Sequence, residues 1–256
     1  MRKFSLMLVA GVAVSVAAIQ IASAADLPRK APAYVPPAPP PFTWTGFYGG
    51  IHAGYGWSDS HANIAVAPAG LIDPASLDQN GSGVIGGGQI GYNWQFAPSW
   101  VIGIEGDVSG TGIRKTTFGP LTAGGAPFGV GFTNSAERDI RWLATVRGRL
   151  GYAANNWLFY VTGGGAWGEA DYTAGPTFAG LFNPITFSHN SSGWVAGGGV
   201  EYGFTNNWSA RVEYLYYDLG SVTSTNASTG AAFVSTQAWD RNKINVVRAG
   251  VNYKFW

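Results

Sequence analysis

The sequence has no cysteine, few charged residues and almost no net charge. Only 11% of its 256 residues are Asp, Glu, Lys or Arg, and 15 basic against 14 acidic side chains give a net charge of +1. Without cysteine, the chain can form neither a disulfide nor a thiolate metal site. It also lacks the basic surplus that binding to a phosphate backbone needs, so we expect no nucleic-acid partner.

Long hydrophobic runs are also missing from most of the chain. After residue 24, no stretch of about 18 uninterrupted apolar residues occurs, which excludes a membrane-spanning helix there. Glycine is abundant, with 38 residues, and aromatic residues make up 14% of the chain. The glycines follow no three-residue repeat, which excludes collagen, and the aromatic content argues against disorder. The composition therefore predicts a folded protein of low charge.

Residues 1–24 have the features of a secretory signal peptide. Arg2 and Lys3 precede an apolar stretch, and small residues at 22–24 form a typical cleavage site. The alternative is an uncleaved membrane anchor.

Residues 25–43 are predicted to form a periplasmic tether. Seven prolines between 28 and 41 favour an extended, semi-rigid segment. We interpret it as a spacer, with contact to peptidoglycan as the alternative. Residues 44–256 are then the folded domain.

Strict alternation of apolar and other residues dominates residues 44–256, which is the period of a β-strand. Eight runs occur, approximately at 47–57, 84–96, 100–108, 140–152, 157–167, 194–204, 208–216 and 247–255. Tight-turn sequences alternate with four long connections at approximately 58–82, 110–136, 173–191 and 220–240. This asymmetry is typical of outer-membrane barrels. We predict an all-β fold: an eight-stranded antiparallel up-and-down transmembrane β-barrel with short periplasmic turns and four long extracellular loops.

Some segments need a local interpretation. The alternation of the fourth run places Ile140 on the apolar face and Arg141 on the opposite face. The segment 110–116 lacks the spacing of a phosphate loop, and we assign it to a loop.

Glycine triplets at 86–88, 163–165 and 197–199 fall within strands. Two of them match the glycine spacing of a dinucleotide-binding motif, but no helix follows, so we interpret them as sites of close backbone approach.

The polar face of the strands carries charges of both signs. Its mid-strand members are Glu105, Asp107, Arg147, Arg149, Glu201, Arg211, Glu213 and Arg248. An interior with room for side chains but not for a wide channel would bring them into ion pairs. A turn centred near Asn206 places Glu201 opposite Arg211. The alternative is the solvated outer face of a soluble barrel, which is weakened because such faces are rich in Lys.

Aromatic residues lie towards the ends of the apolar runs. We expect two membrane-interface girdles that include Trp57, Trp94, Trp100, Tyr152, Trp157, Tyr202 and Trp208. The apolar face would then contact lipid.

Four segments of the chain resemble a known family. They are Trp44-Thr45-Gly46-Phe47-Tyr48-Gly49-Gly50, Tyr160-Val161-Thr162-Gly163-Gly164, Val212-Glu213-Tyr214 and Arg248-Ala249-Gly250-Val251-Asn252-Tyr253-Lys254-Phe255. They are similar to segments of the alphaproteobacterial porin-family small outer-membrane β-barrel proteins, relatives of the OmpA transmembrane barrel. The closing segment is similar to a barrel-assembly signal carried by Tyr253, Phe255 and Trp256, with Trp256 one residue beyond the alternating phase. The resemblance implies contact with outer-membrane lipid and lipopolysaccharide, and with the barrel-assembly machinery.

The resemblance also implies a role in envelope integrity and surface exposure, and some members of the group are described as binding haemin. Our leading hypothesis is accordingly a structural barrel without enzymatic activity or cofactor. The alternatives are a narrow solute pore and a surface protein that captures haemin or another ligand. An outer-membrane enzyme would need a base such as His61 or His189 in the long loops, with Ser191 and Ser192 near the latter. His52 is predicted to be an interior residue, and the three histidines lack the spacing of a metal site.

Overall fold

The computed structural model describes most of the chain from residue 42 onward. The described ranges are 42–67, 73–120, 122–127, 129, 133–177, 185–227, 234–239 and 242–255. The predicted signal peptide and the tether up to residue 41 lie outside them, so this division of the chain stays a prediction. In the described part of the chain, no helix is long and apolar enough to span a membrane.

The described residues form fourteen strands. In chain order they are β1 (Gly46–Asp59), β2 (His61–Ala67), β3 (Ala75–Asp78), β4 (Gly81–Ala97), β5 (Trp100–Pro120), β6 (Thr122–Ala123), β7 (Ala126–Pro127), β8 (Thr133–Ala154), β9 (Trp157–Thr177), β10 (Ile185–Gly203), β11 (Trp208–Asp218), β12 (Val222–Ala227), β13 (Val234–Trp239) and β14 (Lys243–Lys254).

Eight of these strands close into an antiparallel barrel. Their order is β1-β14-β11-β10-β9-β8-β5-β4, and β4 pairs with β1 again. The first and last strands meet along a continuous register from Tyr48 opposite Lys254 to Asp59 opposite Lys243. The predicted eight-stranded antiparallel barrel is confirmed.

Tight turns fix the register at one end of the barrel. The β4–β5 and β8–β9 connections are two-residue turns, and Asn155 in the second adopts a φ of 53°, which Asn tolerates better than most residues. The β10–β11 connection places Glu201 opposite Arg211, the register expected from the sequence.

The four long connections are present as predicted, and much of their length forms paired strands. Strands β5 and β8 pair as far as Pro120 opposite Thr133, and β9 and β10 pair to Ala174 opposite Ile185. The segment 110–116, assigned to a loop, lies inside β5. The first and fourth connections contribute a separate sheet of order β12-β13-β2-β3. The Gly, Ser and Thr content of these segments predicts loops, but the segments form strands because their backbone groups pair with the facing strand.

The predicted faces of Ile140 and Arg141 are also wrong. A β-bulge interrupts the β8–β9 register between Ile140 and Trp142, and the extra residue reverses the phase of the strand beyond it. Ile140 is therefore buried, with 3% exposure, whereas the Arg141 side chain is 62% exposed and binds Asp171.

The bulge predicts that substitutions at Ile140 and at Arg141 have different effects on stability. Ile140→Ala should lower the free energy of unfolding by about 2–4 kcal/mol, because it deletes buried apolar volume. Arg141→Ala should change it by less than about 1 kcal/mol, because its ion pair is exposed. Urea unfolding of the refolded protein in lipid vesicles measures both. A larger loss for Arg141→Ala would contradict the bulge.

Candidate functional site

Four arginines and four carboxylates form a layer across the barrel interior. This ionic layer comprises Glu105, Asp107, Arg147, Arg149, Glu201, Arg211, Glu213 and Arg248, each at most 5% exposed. The residues occupy inward positions on β5, β8, β10, β11 and β14. Equal numbers of each sign give these eight side chains no net charge, and the low polarity around them strengthens each interaction.

Arg147 lies at the centre of the ionic layer. Its Nη2 is 2.5 Å from Oε1 of Glu105 and 3.1 Å from Oδ2 of Asp107, and its Nη1 is 2.9 Å from Oε1 of Glu213. Its Nε also donates to the Thr145 hydroxyl at 3.0 Å. The guanidinium thus joins three carboxylates from two strands.

The other arginines extend the layer to both sides. Arg248 binds Oδ1 of Asp107 at 2.9 Å and Oε2 of Glu213 at 2.8 Å. Arg211 donates to both oxygens of Glu105. Glu201 faces Arg211 in the strand register but forms its ion pair with Arg149, at 2.8 Å. Long side chains therefore pair across the interior as well as along the strand ladder.

Further polar side chains complete the layer, and of these the sequence singled out only His52. Tyr48 donates to Oε2 of Glu105 at 2.6 Å, and the Gln89 amide donates to Asn252 at 2.7 Å. His52 lies inside as expected, with its Nε2 2.7 Å from the Ser109 hydroxyl and its Nδ1 in contact with Gln89. The alternating pattern could have identified these residues, because it places them on the same inward face of the strands as the charged residues.

Apolar clusters lie on both sides of the ionic layer. The extracellular cluster includes Ile85, Leu143, Val195, Leu215, Ile244 and Val246, all at most 2% exposed. The periplasmic cluster comprises Trp44, Val101, Ala153, Leu158 and Tyr160. These layers were not expected from the sequence, because the alternation of the strands predicts that apolar residues face lipid. Together they leave the ionic layer enclosed at both ends.

A further polar cluster lies on the extracellular side and centres on Arg138, which is 2% exposed. Its Nη1 donates to Oδ1 of Asn242 at 2.6 Å, and its Nη2 donates to Ser58 and to the Gln79 carbonyl. Asn242 in turn donates to the Tyr172 hydroxyl at 2.9 Å. These contacts join residues that lie within or next to all four long connections.

An exposed ion pair lies at the same end of the barrel, on the outer wall. Asp171 accepts hydrogen bonds from the Ser188 hydroxyl at 2.7 Å and from Nε of Arg141 at 2.5 Å. These two donors hold the pKa of Asp171 below its usual range.

The aromatic residues predicted for the girdles all point away from the interior. Their exposed fractions lie between 39% and 54% for Trp57, Trp94, Trp100, Tyr152, Trp157, Tyr202 and Trp208. All of these except Trp57 lie near the short turns. Rings on adjacent strands touch there, with centroids 4.7 Å apart for Trp157 and Tyr202.

The predicted assembly signal lies at the same end of the barrel. Tyr253 and Phe255 point outwards, with 38% and 53% exposure. Trp256 lies outside the described residues.

The remaining histidines lie on strands, which corrects their assignment to loops. His61 begins β2, with its Nε2 3.1 Å from Oδ1 of Asp78, and His189 is an exposed residue of β10. Pairing of the long connections as strands explains both positions. In the part of the chain that the structure describes, no three His, Asp or Glu residues form a metal-binding group.

Comparison with known proteins identifies the family. The model of the outer membrane protein beta-barrel domain matches residues 4–255. The chain belongs to this family. Its membership confirms the resemblance seen in the sequence motifs and places the protein in the bacterial outer membrane.

Relatives in this family cover nearly the whole chain. The 31 kDa outer-membrane immunogenic protein of Brucella melitensis is 35% identical over 91% of this chain and 93% of its own length. The 22 kDa outer membrane protein of Rhizobium leguminosarum is 29% identical, over 86% of this chain and 82% of its own. Among solved structures, OprG from Pseudomonas aeruginosa covers 82% of this chain and 96% of its own, with a TM-score of 0.43 and 14% identity.

Proposed function

We propose that this outer-membrane protein is a structural barrel that supports envelope cohesion and presents its extracellular strands at the cell surface. The supporting observation is the enclosed ionic layer, with apolar clusters on both of its sides. Recognition by such a protein would occur on segments held by the rigid barrel. We propose no enzymatic activity for it.

The interior contacts argue against a continuous water path. Arg147, Arg211 and Arg248 bridge carboxylates of β5 and β11 across the interior. An ion that crossed would have to separate these pairs in a medium of low polarity, which is costly. Leu143 and Leu215, at 1% and 0% exposure, add an apolar constriction on the extracellular side.

The outward surface supports a set of proposed partners. Ile51, Ile90 and Val108 are 61–73% exposed on outward positions, as expected for contact with acyl chains. We propose lipid and lipopolysaccharide as the partners of this face. Tyr253 and Phe255 also point outwards, which suits recognition of β14 by the barrel-assembly machinery.

The structural proposal predicts a barrel without stable conductance. Purified protein in planar bilayers should show no stable ohmic openings at ordinary salt, because the three interior layers close the path. A strain that lacks the gene should admit more of a polar dye that the outer membrane normally excludes, and the native gene should restore exclusion.

The two measurements separate the functional classes. Stable openings in the bilayer would favour the narrow solute pore, with a wide-channel porin in the same bilayer as the control. Unchanged dye entry in the deletion strain would contradict the structural role. An absorbance titration with haemin on the purified barrel then tests the ligand-capture alternative.

A further inference from the structure

The residues immediately before β1 lie across the periplasmic mouth of the barrel. Strand β1 begins at Gly46, yet Trp44 belongs to the same apolar cluster as Leu158 and Tyr160 of β9. In the barrel order, β9 is four strands from β1 in both directions, which makes it the opposite wall. The segment 42–45 therefore spans the opening and does not simply lead into β1.

Trp44 is the deepest residue of this segment. It is 4% exposed and shares its cluster with Val101 and Ala153, inward residues next to the short turns. Its backbone N–H donates to Oε1 of Gln95 at 3.0 Å, and the Gln95 N–H donates to the Thr45 hydroxyl at 3.0 Å. The Trp44 ring, at the narrow periplasmic opening, excludes water from the part of the barrel interior that lies between it and the ionic layer.

Phe42 and Thr43 fasten the outer end of the segment to two further places on the rim. The Phe42 ring contacts Trp44 edge to face, with centroids 4.9 Å apart. It also occupies the space beside Gly203, where an added Cβ would lie 2.3 Å from the ring. Lys254 of β14 donates to the Thr43 carbonyl, and its Nζ lies 5.0 Å from the centre of the Phe42 ring.

A small cavity separates this segment from the ionic layer. Its lining includes Trp44, Asn93, Glu201, Ser209 and Asn252, and its volume is about 20 Å³. That volume admits about one water molecule and no larger solute.

We propose that residues 42–45 are a plug that the chain docks into its own periplasmic mouth, which seals the ionic layer from the periplasm. The docking surface is formed by the turn-proximal ends of β4, β5, β8, β9, β10 and β14. The proposal concerns access from one side of the membrane and goes beyond the structural role. It does not depend on a role in envelope cohesion, so the dye-entry measurement and the test below can fail separately.

The absence of cysteine in the chain allows a direct accessibility test. Ser209→Cys places a single thiol beside the cavity, at a position that is 8% exposed. A charged, water-soluble thiol reagent should modify it slowly in the folded barrel. Adding Trp44→Ala should raise the modification rate at least tenfold, because the seal is removed. Adding Trp100→Ala should leave the rate unchanged, because Trp100 is an outward ring at the same end of the barrel.

A second variant carries a substitution in the barrel wall that should displace the plug. Gly203→Val should push the Phe42 ring from its place and raise the same rate, and it decides the question if Trp44→Ala does not fold. Electrophoresis with and without boiling identifies the folded variants. Equal rates with and without the plug substitutions would overturn the proposal. So would an equal increase in Trp100→Ala, which would show general loosening.

Discussion

Replacing Arg147 by Met should lower the free energy of unfolding by about 3–5 kcal/mol, one of the two largest effects that we expect from a single substitution. The Arg147 side chain is 0% exposed and binds Glu105, Asp107 and Glu213. Its removal leaves three buried carboxylates with one positive charge fewer. Urea titration of the protein refolded into lipid vesicles measures the loss, and the midpoint should shift without a change of slope.

A double-substitution cycle separates pairing from general damage. Glu105→Gln combined with Arg147→Met restores the balance of charge, so the two losses should fall short of additivity by about 1–3 kcal/mol. Arg114→Met is the matched control, because its ion pair with Asp139 is exposed, and it should cost less than about 1 kcal/mol. Fully additive losses in the cycle would show that Glu105 and Arg147 contribute independently.

The second large effect is expected at Gly164, the middle glycine of the triplet 163–165 in β9. A Cβ on Gly164 would lie 2.0 Å from the carbonyl oxygen of Val146 on β8, an approach that only a shift of the backbone relieves. Gly164→Ala should therefore cost about 3 kcal/mol, or prevent barrel closure altogether. Electrophoresis of the outer-membrane fraction with and without boiling detects closure, since a closed barrel resists detergent until it is heated.

The adjacent glycine provides the control. A Cβ on Gly163 would meet its nearest atom, the Val195 carbonyl oxygen, at 3.5 Å, which is ordinary contact. Gly163→Ala should therefore assemble as the native protein does. If both variants assembled equally well, close backbone approach would not explain the triplet. The match to the glycine spacing of a dinucleotide-binding motif has no part in this prediction, because residues 163–165 lie within a strand.

The sequence sufficed for the barrel because two local rules determine its strands. Side chains alternate between faces, so Glu105 and Asp107 could be assigned to the same face as the glycines. A tight turn sets the register of the strands that it joins, so the Glu201–Arg211 alignment could be predicted from Asn206. Neither rule needs knowledge of distant parts of the chain.

The features that the sequence did not yield depend on distant partners. The bulge at Arg141 adds one residue without any compositional sign, and it reverses the faces of Ile140 and Arg138. The pairing of Glu201 with Arg149 depends on the closed shape of the barrel, which brings β8 and β10 together across the interior. The pairing of the long connections is also non-local, because Thr- and Gly-rich segments form loops or strands according to the chain beside them.

The extension of paired strands beyond the membrane determines how other molecules meet this surface. Thr116 lies opposite Glu137, and Glu137 lies opposite Thr173, so neighbours on the outer wall are far apart along the chain. An antibody that binds there would recognise a discontinuous epitope that synthetic peptides and denatured protein do not display. Substitution of outward residues on one strand could alter that epitope while the interior pairs stay intact.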